Sequence, residues 1–274
     1  MEFVSINGYT FHYMREGLLA GPPLIFLNSL GTDLRIWDKL VPHFAGRYQI
    51  IRYDKRGHGL SDAPPGPYQL SDHTADLTGL LDHLGLAKAV LVGNSVGGMI
   101  ALDFAIRHPG RAEALILCDT AAKIGTADYW NERITAVRSG GLAPLAEAIL
   151  SRWFSPAFAA QQPAAYRGYY NMLTRTPQEG YAATCEAIRD ADLREQVGQI
   201  QGQSGPQSGP PALVLCGAED GATPPELVQG LAEGLRRGGT RSRFALIAGA
   251  GHIPSIEQPA AMAALIHTFL EEIS

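Results

Sequence analysis

The stretch Leu91-Val-Gly-Asn-Ser-Val-Gly-Gly98, LVGNSVGG, places one serine between glycines at the end of an apolar run. The run Ala89–Val92 is typical of a buried strand, and the segment Val96–His108 that follows has the pattern of a helix. Ser95 therefore lies in a sharp turn from strand to helix, within the pattern Gly-x-Ser-x-Gly. Such a turn exposes the hydroxyl beside helix N-terminal amides, which stabilise a negative oxygen. The same glycines also suit plain packing of a strand on a helix, so a nucleophilic serine needs partners elsewhere.

Length and charge bound the kind of protein and the kind of partner. The 274 residues suit one domain with an inserted region. The 22 basic and 27 acidic residues give a net charge of -5, without the basic field that nucleic acid or an anionic membrane requires. The N-terminus resembles no secretory signal, and the apolar runs are too short to span a bilayer. We expect a soluble, cytoplasmic protein with a small-molecule partner, no nucleic-acid partner and no membrane partner.

Short apolar runs alternate with longer helical segments over most of the chain. Phe3–Ile6 and Thr10–Arg15, joined by Asn7-Gly8, predict a hairpin. Further strands are predicted at Pro23–Leu27, Tyr48–Tyr53, Ala89–Val92, Ala114–Cys118, Ala212–Cys216 and Phe244–Ile247. Helices are predicted at Asp72–Leu84 with Ser71 as N-cap, Val96–His108, Pro225–Arg236 and Pro259–Ile273. Near-continuous apolar strands are typical of a mainly parallel sheet covered on both faces, which predicts an α/β architecture with flanking helices.

The alternation lapses between residues 120 and 200, where helical spacing continues without a strand-like run. We expect a helical insertion there, which we call the cap. Residues 201–210, QGQSGPQSGP, are polar and rich in turn formers, and they predict a flexible linker back into the sheet. Residues 1–119 and 211–274 would then form the core. The three widely spaced cysteines, Cys118, Cys185 and Cys216, predict buried, reduced thiols.

A nucleophilic serine needs a base and a group that orients the base. Asp220 follows the strand at 212–216 and His252 follows the strand at 244–247, so both lie past the carboxyl ends of strands, where open α/β sheets place their sites. The chain order Ser95, Asp220, His252 is the one expected for this architecture. Two other acids remain open. Glu219 neighbours Asp220, and Asp119 also follows a strand. His58, in a loop of its own, is interpreted as a brace.

The elbow at 93–97, DKRGHGLSD at 54–62, GAEDGATPP at 217–225 and GAGHIP at 249–254 resemble the α/β-hydrolase superfamily. More narrowly, FLNSLGTD at 26–33, DTAAKIG at 119–125, WNER at 130–133 and CEAIRDADL at 185–193 resemble 3-oxoadipate enol-lactonases of the β-ketoadipate pathway of aromatic catabolism. This second set includes the cap, which differs most between hydrolase families.

The resemblance implies an α/β-hydrolase fold and a serine hydrolase that opens 3-oxoadipate enol-lactone with water, giving 3-oxoadipate. Ser95 would be the nucleophile, and the backbone amides of Leu30 and Val96 would hold the oxyanion. Neither a metal nor an organic cofactor is expected. Two alternatives remain, a short-chain or aryl carboxylesterase on the same fold and, more remotely, a ligand-binding receptor that lacks turnover.

The implied substrate carries a carboxylate, and the net negative chain must supply a local cation for it. The cap offers Arg133 near Trp130 and Arg152 beside Trp153, each pairing a guanidinium with an indole. Arg133 and Trp153 are the predicted carboxylate and ring contacts, with Trp130 beside them, because a planar guanidinium binds both carboxylate oxygens. Solvated arginines with their stems on the tryptophans would give the same sequence pattern.

Overall fold

Eight strands of the described chain form one mixed sheet. The computed structural model describes residues 1–200 and 209–273. The strands are β1 (Glu2–Ile6), β2 (Tyr9–Gly17), β3 (Pro23–Leu27), β4 (Gln49–Tyr53), β5 (Ala89–Asn94), β6 (Ala112–Cys118), β7 (Ala212–Gly217) and β8 (Ser242–Ile247). Their order is β1-β2-β4-β3-β5-β6-β7-β8, and every neighbouring pair from β4 to β8 is parallel. The predicted sheet is confirmed.

The first two strands are the antiparallel part of the sheet. β1 and β2 pair from Glu2 with Tyr13 to Ile6 with Tyr9, and β2 also runs antiparallel to β4. Asn7 and Gly8 join them with φ values of 54° and 83°. Positive φ at both central residues is the geometry of the tight hairpin turn that Asn-Gly favours. The predicted hairpin is therefore confirmed.

Helices cover the sheet and fill the segment between β6 and β7. The α-helices are α1 (Leu70–His83), α2 (Val96–Arg107), α3 (Ala127–Gly140), α4 (Ala146–Trp153), α5 (Pro156–Gln161), α6 (Pro163–Thr174), α7 (Gln178–Asp190), α8 (Pro225–Arg237), α9 (Pro254–Glu257) and α10 (Pro259–Glu272). Short 3-10 helices cover Leu34–Trp37, Val41–His43, Ala143–Leu145 and Val197–Gln199. In the part of the chain that the structure describes, no helix is both long and apolar enough to cross a membrane.

Two local predictions need correction. Ser71 is not the N-cap of α1, because the helix begins at Leu70 and the Asp72 carboxylate accepts the backbone N–H of Gln69 at 2.8 Å. That bond satisfies the backbone N–H of an N-cap residue that lies two positions before the predicted one. β8 is not covered on both faces: it is the edge strand, and Leu246 is 52% exposed. An apolar run does not distinguish an edge strand from a central one.

Between β6 and β7 the described residues form helices α3 to α7 and short 3-10 turns, without a strand. The limits of the cap at 120 and 200 stay a prediction. The predicted linker over 201–210 lies, for residues 201–208, outside the described residues. The three cysteines are free and buried, as predicted.

Five loops that follow parallel strands meet at one edge of the sheet. These loops follow β3, β5, β6, β7 and β8, and they carry Leu30, Ser95, Asp119, Asp220 and His252 respectively. The carboxyl ends of parallel strands share an edge, so residues far apart in sequence lie close together there. Every residue of β5, β6 and β7 except Glu113 is buried, and this largely apolar layer supports the loops from below.

Helix α7 rests directly on the loop that follows β4. A Cβ built on Gly180 would lie 2.3 Å from the Gly57 carbonyl oxygen, closer than real contacts allow. We expect Gly180→Ala to lower the free energy of unfolding by about 1 to 3 kcal/mol through overpacking. Gly168→Ala in α6 is the matched control, because its Cβ meets nothing within 4 Å. It should stabilise by about 0.5 to 1 kcal/mol through helix propensity. Urea denaturation measures the free energy of unfolding of both variants. If both substitutions changed it in the same direction, the close contact between Gly180 and Gly57 would be contradicted.

Candidate active site

Ser95 occupies a strained turn between β5 and α2. Its φ and ψ are 57° and -119°, outside the regions that side-chain-bearing residues favour. The Ser95 N–H donates to the Cys118 carbonyl at 2.9 Å, and the Thr120 hydroxyl donates to the Ser95 carbonyl at 2.6 Å. A Cβ on Gly97 would lie 2.1 Å from the Leu27 carbonyl oxygen. The turn is thus fixed from β3 and β6, and the predicted need for small neighbours follows from this packing.

Asp220 and His252 form a buried hydrogen-bonded pair. His252 Nδ1 lies 2.9 Å from Asp220 Oδ2. The other oxygen, Oδ1, accepts the backbone N–H groups of Ala222 at 2.7 Å and Thr223 at 3.0 Å. The Thr223 hydroxyl donates to Oδ2 at 2.6 Å. Burial acts to raise the pKa of Asp220, yet the attraction and hydrogen bond of His252, with those from Thr223, hold that pKa below its ordinary value. The acid is thus ionised and oriented toward the imidazole.

A cavity of about 260 Å³ brings Ser95 and His252 to a common space. Its apolar wall contains Leu30, Ile124, Trp130, Ile149, Trp153 and Ile188. A small, largely apolar pocket with a few convergent polar groups is the usual form of a small-molecule site. Among the predicted residues, Arg133 also lines the cavity, whereas Asp220 and Val96 are not part of its lining. Asp220 is connected to the cavity through its hydrogen bond to His252.

The loop that carries Leu30 is held in place by two buried side chains after β4. The Gly31 N–H donates to His58 Nε2 at 2.9 Å, which agrees with the interpretation of His58 as a brace. Lys55 Nζ donates to the Ser29 carbonyl at 2.5 Å. Burial lowers the pKa of Lys55 to about 7, against the attraction of nearby aspartates. The backbone amide of Leu30 has no acceptor within residues 1–200 and 209–273, so it remains available to a ligand.

Two arginines of the cap face the cavity and share one phenol. Arg133 donates to the Tyr129 hydroxyl at 2.8 Å and to the Tyr181 hydroxyl at 3.2 Å. Arg152 donates to the Tyr129 hydroxyl at 2.9 Å and to the Gly221 carbonyl at 2.9 Å. Within the described residues, the hydrogen bonds of both guanidiniums go to neutral oxygens. The cavity therefore holds two positive charges, and neither guanidinium forms an ion pair with a carboxylate of residues 1–200 or 209–273.

The contacts of these arginines differ in part from the prediction. Both guanidiniums lie over the Tyr129 ring, at 5.3 and 5.4 Å, and not over an indole. Trp130 instead donates its Nε1–H to the Ile124 carbonyl at 2.7 Å, and the Trp153 carbonyl accepts the His252 N–H at 2.8 Å. Tyr129 was missed. The signal was its position four residues before Arg133 within the predicted helical insertion, since helical spacing places two such side chains on one face.

The two alternative acids have different surroundings. Glu219 is exposed and has no part in the buried pair. Asp119 is fully buried, and its Oδ1 accepts the Gly217 N–H at 2.8 Å. His252 Nδ1 is hydrogen-bonded to Asp220, and within the described residues Asp119 makes no hydrogen bond to His252. The geometry thus favours Asp220 as the partner of the imidazole.

These features are those of the alpha/beta hydrolase fold, and the family of that description matches residues 22–259. The chain belongs to this family. Its mostly parallel sheet, its strand-to-helix elbow and the positions of the later acid and histidine agree with that membership.

Two enol-lactonases are similar to this chain over nearly its full length. The protein 3-oxoadipate enol-lactonase 2 of Acinetobacter baylyi is 36% identical over 260 residues, covering 95% of this chain and 92% of that protein. The crystal structure of the enol-lactonase from Burkholderia xenovorans LB400 superimposes with a TM-score of 0.91 at 36% identity, covering 98% and 100% of the two chains. The resemblance inferred from the sequence is confirmed.

A thermophilic esterase from Thermogutta terrifontis is also similar, with a TM-score of 0.90 at 27% identity and coverage of 100% and 99%. The fold of this chain therefore occurs both in proteins named enol-lactonases and in a protein named an esterase.

The hydroxyl of Thr223 is the hydrogen-bond donor to Asp220 that sequence reasoning missed. Thr223→Val keeps the shape of the side chain and removes the hydroxyl, so a buried carboxylate loses a donor. We expect a loss of about 1.5 to 3 kcal/mol in the free energy of unfolding. Thr223→Ser retains the donor and should stay near the wild type. Denaturant unfolding at neutral pH measures both variants, and equal losses would mean that the methyl group and not the hydroxyl matters.

Proposed function

We propose that the chain is a carboxylic ester hydrolase that opens 3-oxoadipate enol-lactone. The observation that carries this proposal is the cavity, which is lined by Ser95, by His252 and by two arginines. Within the described residues, the guanidiniums of these arginines donate to neutral oxygens. An ester-cleaving centre and an anion-binding wall in one small space fit a small lactone with a carboxylate. The similarity to the enol-lactonases of Acinetobacter baylyi and Burkholderia xenovorans supports the same substrate.

In the first step the Ser95 hydroxyl attacks the lactone carbonyl carbon and His252 takes the hydroxyl proton. Asp220 accepts the N–H of the imidazole, fixes its tautomer and stabilises the imidazolium. The negative oxygen of the tetrahedral intermediate is bound by the backbone amides of Leu30 and Val96. One such donor is worth about 3 kcal/mol of transition-state stabilisation.

In the second step the ring C–O bond breaks and the proton on His252 passes to the departing enol oxygen. The enol stays attached to the acyl group on Ser95, because both belong to one molecule. Conversion of the enol to the ketone prevents it from closing the ring again. His252 then takes a proton from water, the hydroxide attacks the acyl carbon, and the Ser95 oxygen leaves with that proton. The product, 3-oxoadipate, carries both carboxylates.

Recognition of the substrate carboxylate is assigned to Arg133, with Arg152 adding a second positive charge. Tyr129 lies between them and holds both guanidiniums in place through its oxygen. Trp130 and Trp153 exclude water and flank the flat ring. A charge-assisted hydrogen bond gains strength in such a partly buried setting.

A carboxylesterase for small uncharged esters is the second candidate, and the similarity to the Thermogutta terrifontis esterase favours it. An uncharged substrate would not explain why Arg133 and Arg152 place two positive charges at the cavity. Parallel turnover of the enol-lactone and a neutral aryl ester by the purified protein decides between them. A preference for the neutral ester in kcat/KM would reverse the assignment, and binding without turnover would indicate a receptor.

We expect Ser95→Ala to reduce hydrolysis to the background rate. The change removes only one oxygen in a turn whose backbone is held by its neighbours, so the fold should persist. Ser151→Ala, an exposed serine of α4, is the control and should retain full turnover. Enol-lactone hydrolysis and circular dichroism check the two variants. Near wild-type kcat in Ser95→Ala would exclude the acyl-enzyme mechanism.

Arg133→Ala should lower kcat/KM for the enol-lactone about ten- to a hundredfold, since a charge-assisted contact contributes about 1.5 to 3 kcal/mol. Turnover of a neutral aryl ester should change little. Arg167→Ala, at an exposed arginine of α6 outside the cavity, controls for a change in overall charge. Steady-state kinetics with both substrates measure the effect. Equal losses on both substrates would assign Arg133 to structure and not to carboxylate recognition.

A further inference from the structure

Asp119 is a fully buried carboxyl group with one satisfied oxygen and one unsatisfied oxygen. Oδ1 accepts the Gly217 N–H at 2.8 Å. Oδ2 has no hydrogen-bond donor among the described residues. A buried carboxylate oxygen without a donor is costly, and a proton on that oxygen removes both the charge and the unmet acceptor. The residue therefore requires either a donor or a proton.

The groups that face Asp119 favour a proton. One carboxyl oxygen of Asp119, one of Asp220 and the Cys216 Sγ lie within 4.8 Å of one another. Cys118, the last residue of β6, directly precedes Asp119 in the chain. His252 is hydrogen-bonded to Asp220. Asp220 is held in its ionised form by His252, and two buried carboxyl groups this close together do not readily both ionise. Burial first, and then the charge of Asp220, raise the pKa of Asp119 well above its ordinary value, and they outweigh the opposing hydrogen bonds of the Gly217 N–H and the Cys216 thiol.

We propose that Asp119 is a protonated carboxylic acid in the folded protein and that it positions Asp220 by donating its Oδ2 proton toward the Asp220 carboxylate. Asp119 is thus a positioning residue that keeps the acid of the triad ionised and oriented, without touching the substrate. Its catalytic consequence rests on the proposed function, whereas its protonation does not. The assignment also explains why a second acid can lie beside Asp220 without replacing it.

Two substitutions separate the proton from the carboxylate charge. Asp119→Asn keeps an acceptor for the Gly217 N–H and offers an uncharged N–H donor where the acid has its O–H. Asp119→Gly removes the side chain without backbone strain, because Asp119 has a φ of 50° that glycine adopts freely. Asparagine also tolerates this region. Asp220→Asn is the contrasting variant that removes the charge next to His252.

The first test measures stability and requires no substrate. An acid whose pKa is raised by folding contributes stability below its unfolded-state pKa and loses that contribution as the pH rises. Asparagine does not titrate. The Tm of Asp119→Asn minus that of the wild type should therefore increase steadily from about pH 4 to pH 8. A difference that stays constant over this range would show that Asp119 ionises in the folded protein and would overturn the proposal.

The second test uses the pH profile of kcat/KM, with a neutral aryl ester if the enol-lactone is not turned over. Asp119→Asn should retain kcat within about threefold, whereas Asp220→Asn should lose orders of magnitude, because an amide in place of a triad acid favours the wrong tautomer of the histidine. Asp119→Gly removes a neutral donor from Asp220, so the carboxylate attracts the imidazolium more strongly. The acid limb should move to higher pH by about 0.5 to 1 unit.

The sign of that movement is decisive. Loss of an ionised Asp119 would remove a negative charge near His252 and would move the acid limb to lower pH. Such a movement, or a loss in Asp119→Asn as large as that in Asp220→Asn, would overturn the proposal. A metal ion held by Asp119, Cys216 and Asp220 would also overturn it, and it would be seen as a Tm that rises with added Zn²⁺ in the wild type alone.

Discussion

The close approach of three backbone segments around Ser95 sets the geometry on which the rest of the site depends. β5 turns into α2 at this residue, and Gly97 brings the first turn of the helix against the Leu27 carbonyl of β3. The serine carbonyl and amide are tied to residues at the end of β6. The positive φ persists because these neighbours over-determine it. The Ser95 hydroxyl is therefore placed at the same edge of the sheet as the loops that carry Asp220 and His252.

Much of this arrangement could be predicted because it depends on short-range patterns. The apolar runs, the Asn7-Gly8 turn and the glycines about Ser95 are local signals, and the strand ends follow them to within two residues. Asp220 and His252 could be predicted as candidates because each directly follows a strand, and parallel strands share one carboxyl edge. The start of the helix at Leu70 could not be predicted. It depends on the Asp72 side chain, which accepts the backbone N–H of Gln69, and the sequence pattern does not reveal this bond.

The contacts that could not be predicted are those between elements distant in sequence. Arg152 of α4 donates a hydrogen bond to Tyr129 of α3. The carboxyl groups of Asp119 and Asp220, which follow the neighbouring strands β6 and β7, lie close together. Propensity and periodicity specify which face of an element is buried, and they leave its partner open. The same limit explains β8, whose apolar sequence does not reveal its edge position. Electrostatic properties of the site, including the charge inside the cavity, arise from these distant contacts.

The cap and His252 are connected through hydrogen bonds, and this limits how the cap can vary. The His252 N–H donates to the Trp153 carbonyl, and Glu257, just after the histidine loop, accepts from the amide and hydroxyl of Ser155. A change in the path of the backbone at 153–155 would therefore move the histidine as well as the wall of the cavity. Side chains that line the cavity, such as Arg133, take no part in these hydrogen bonds between residues 153–155 and the His252 loop. Changes of substrate within this fold should consequently arise through lining side chains, while the backbone that supports His252 stays fixed.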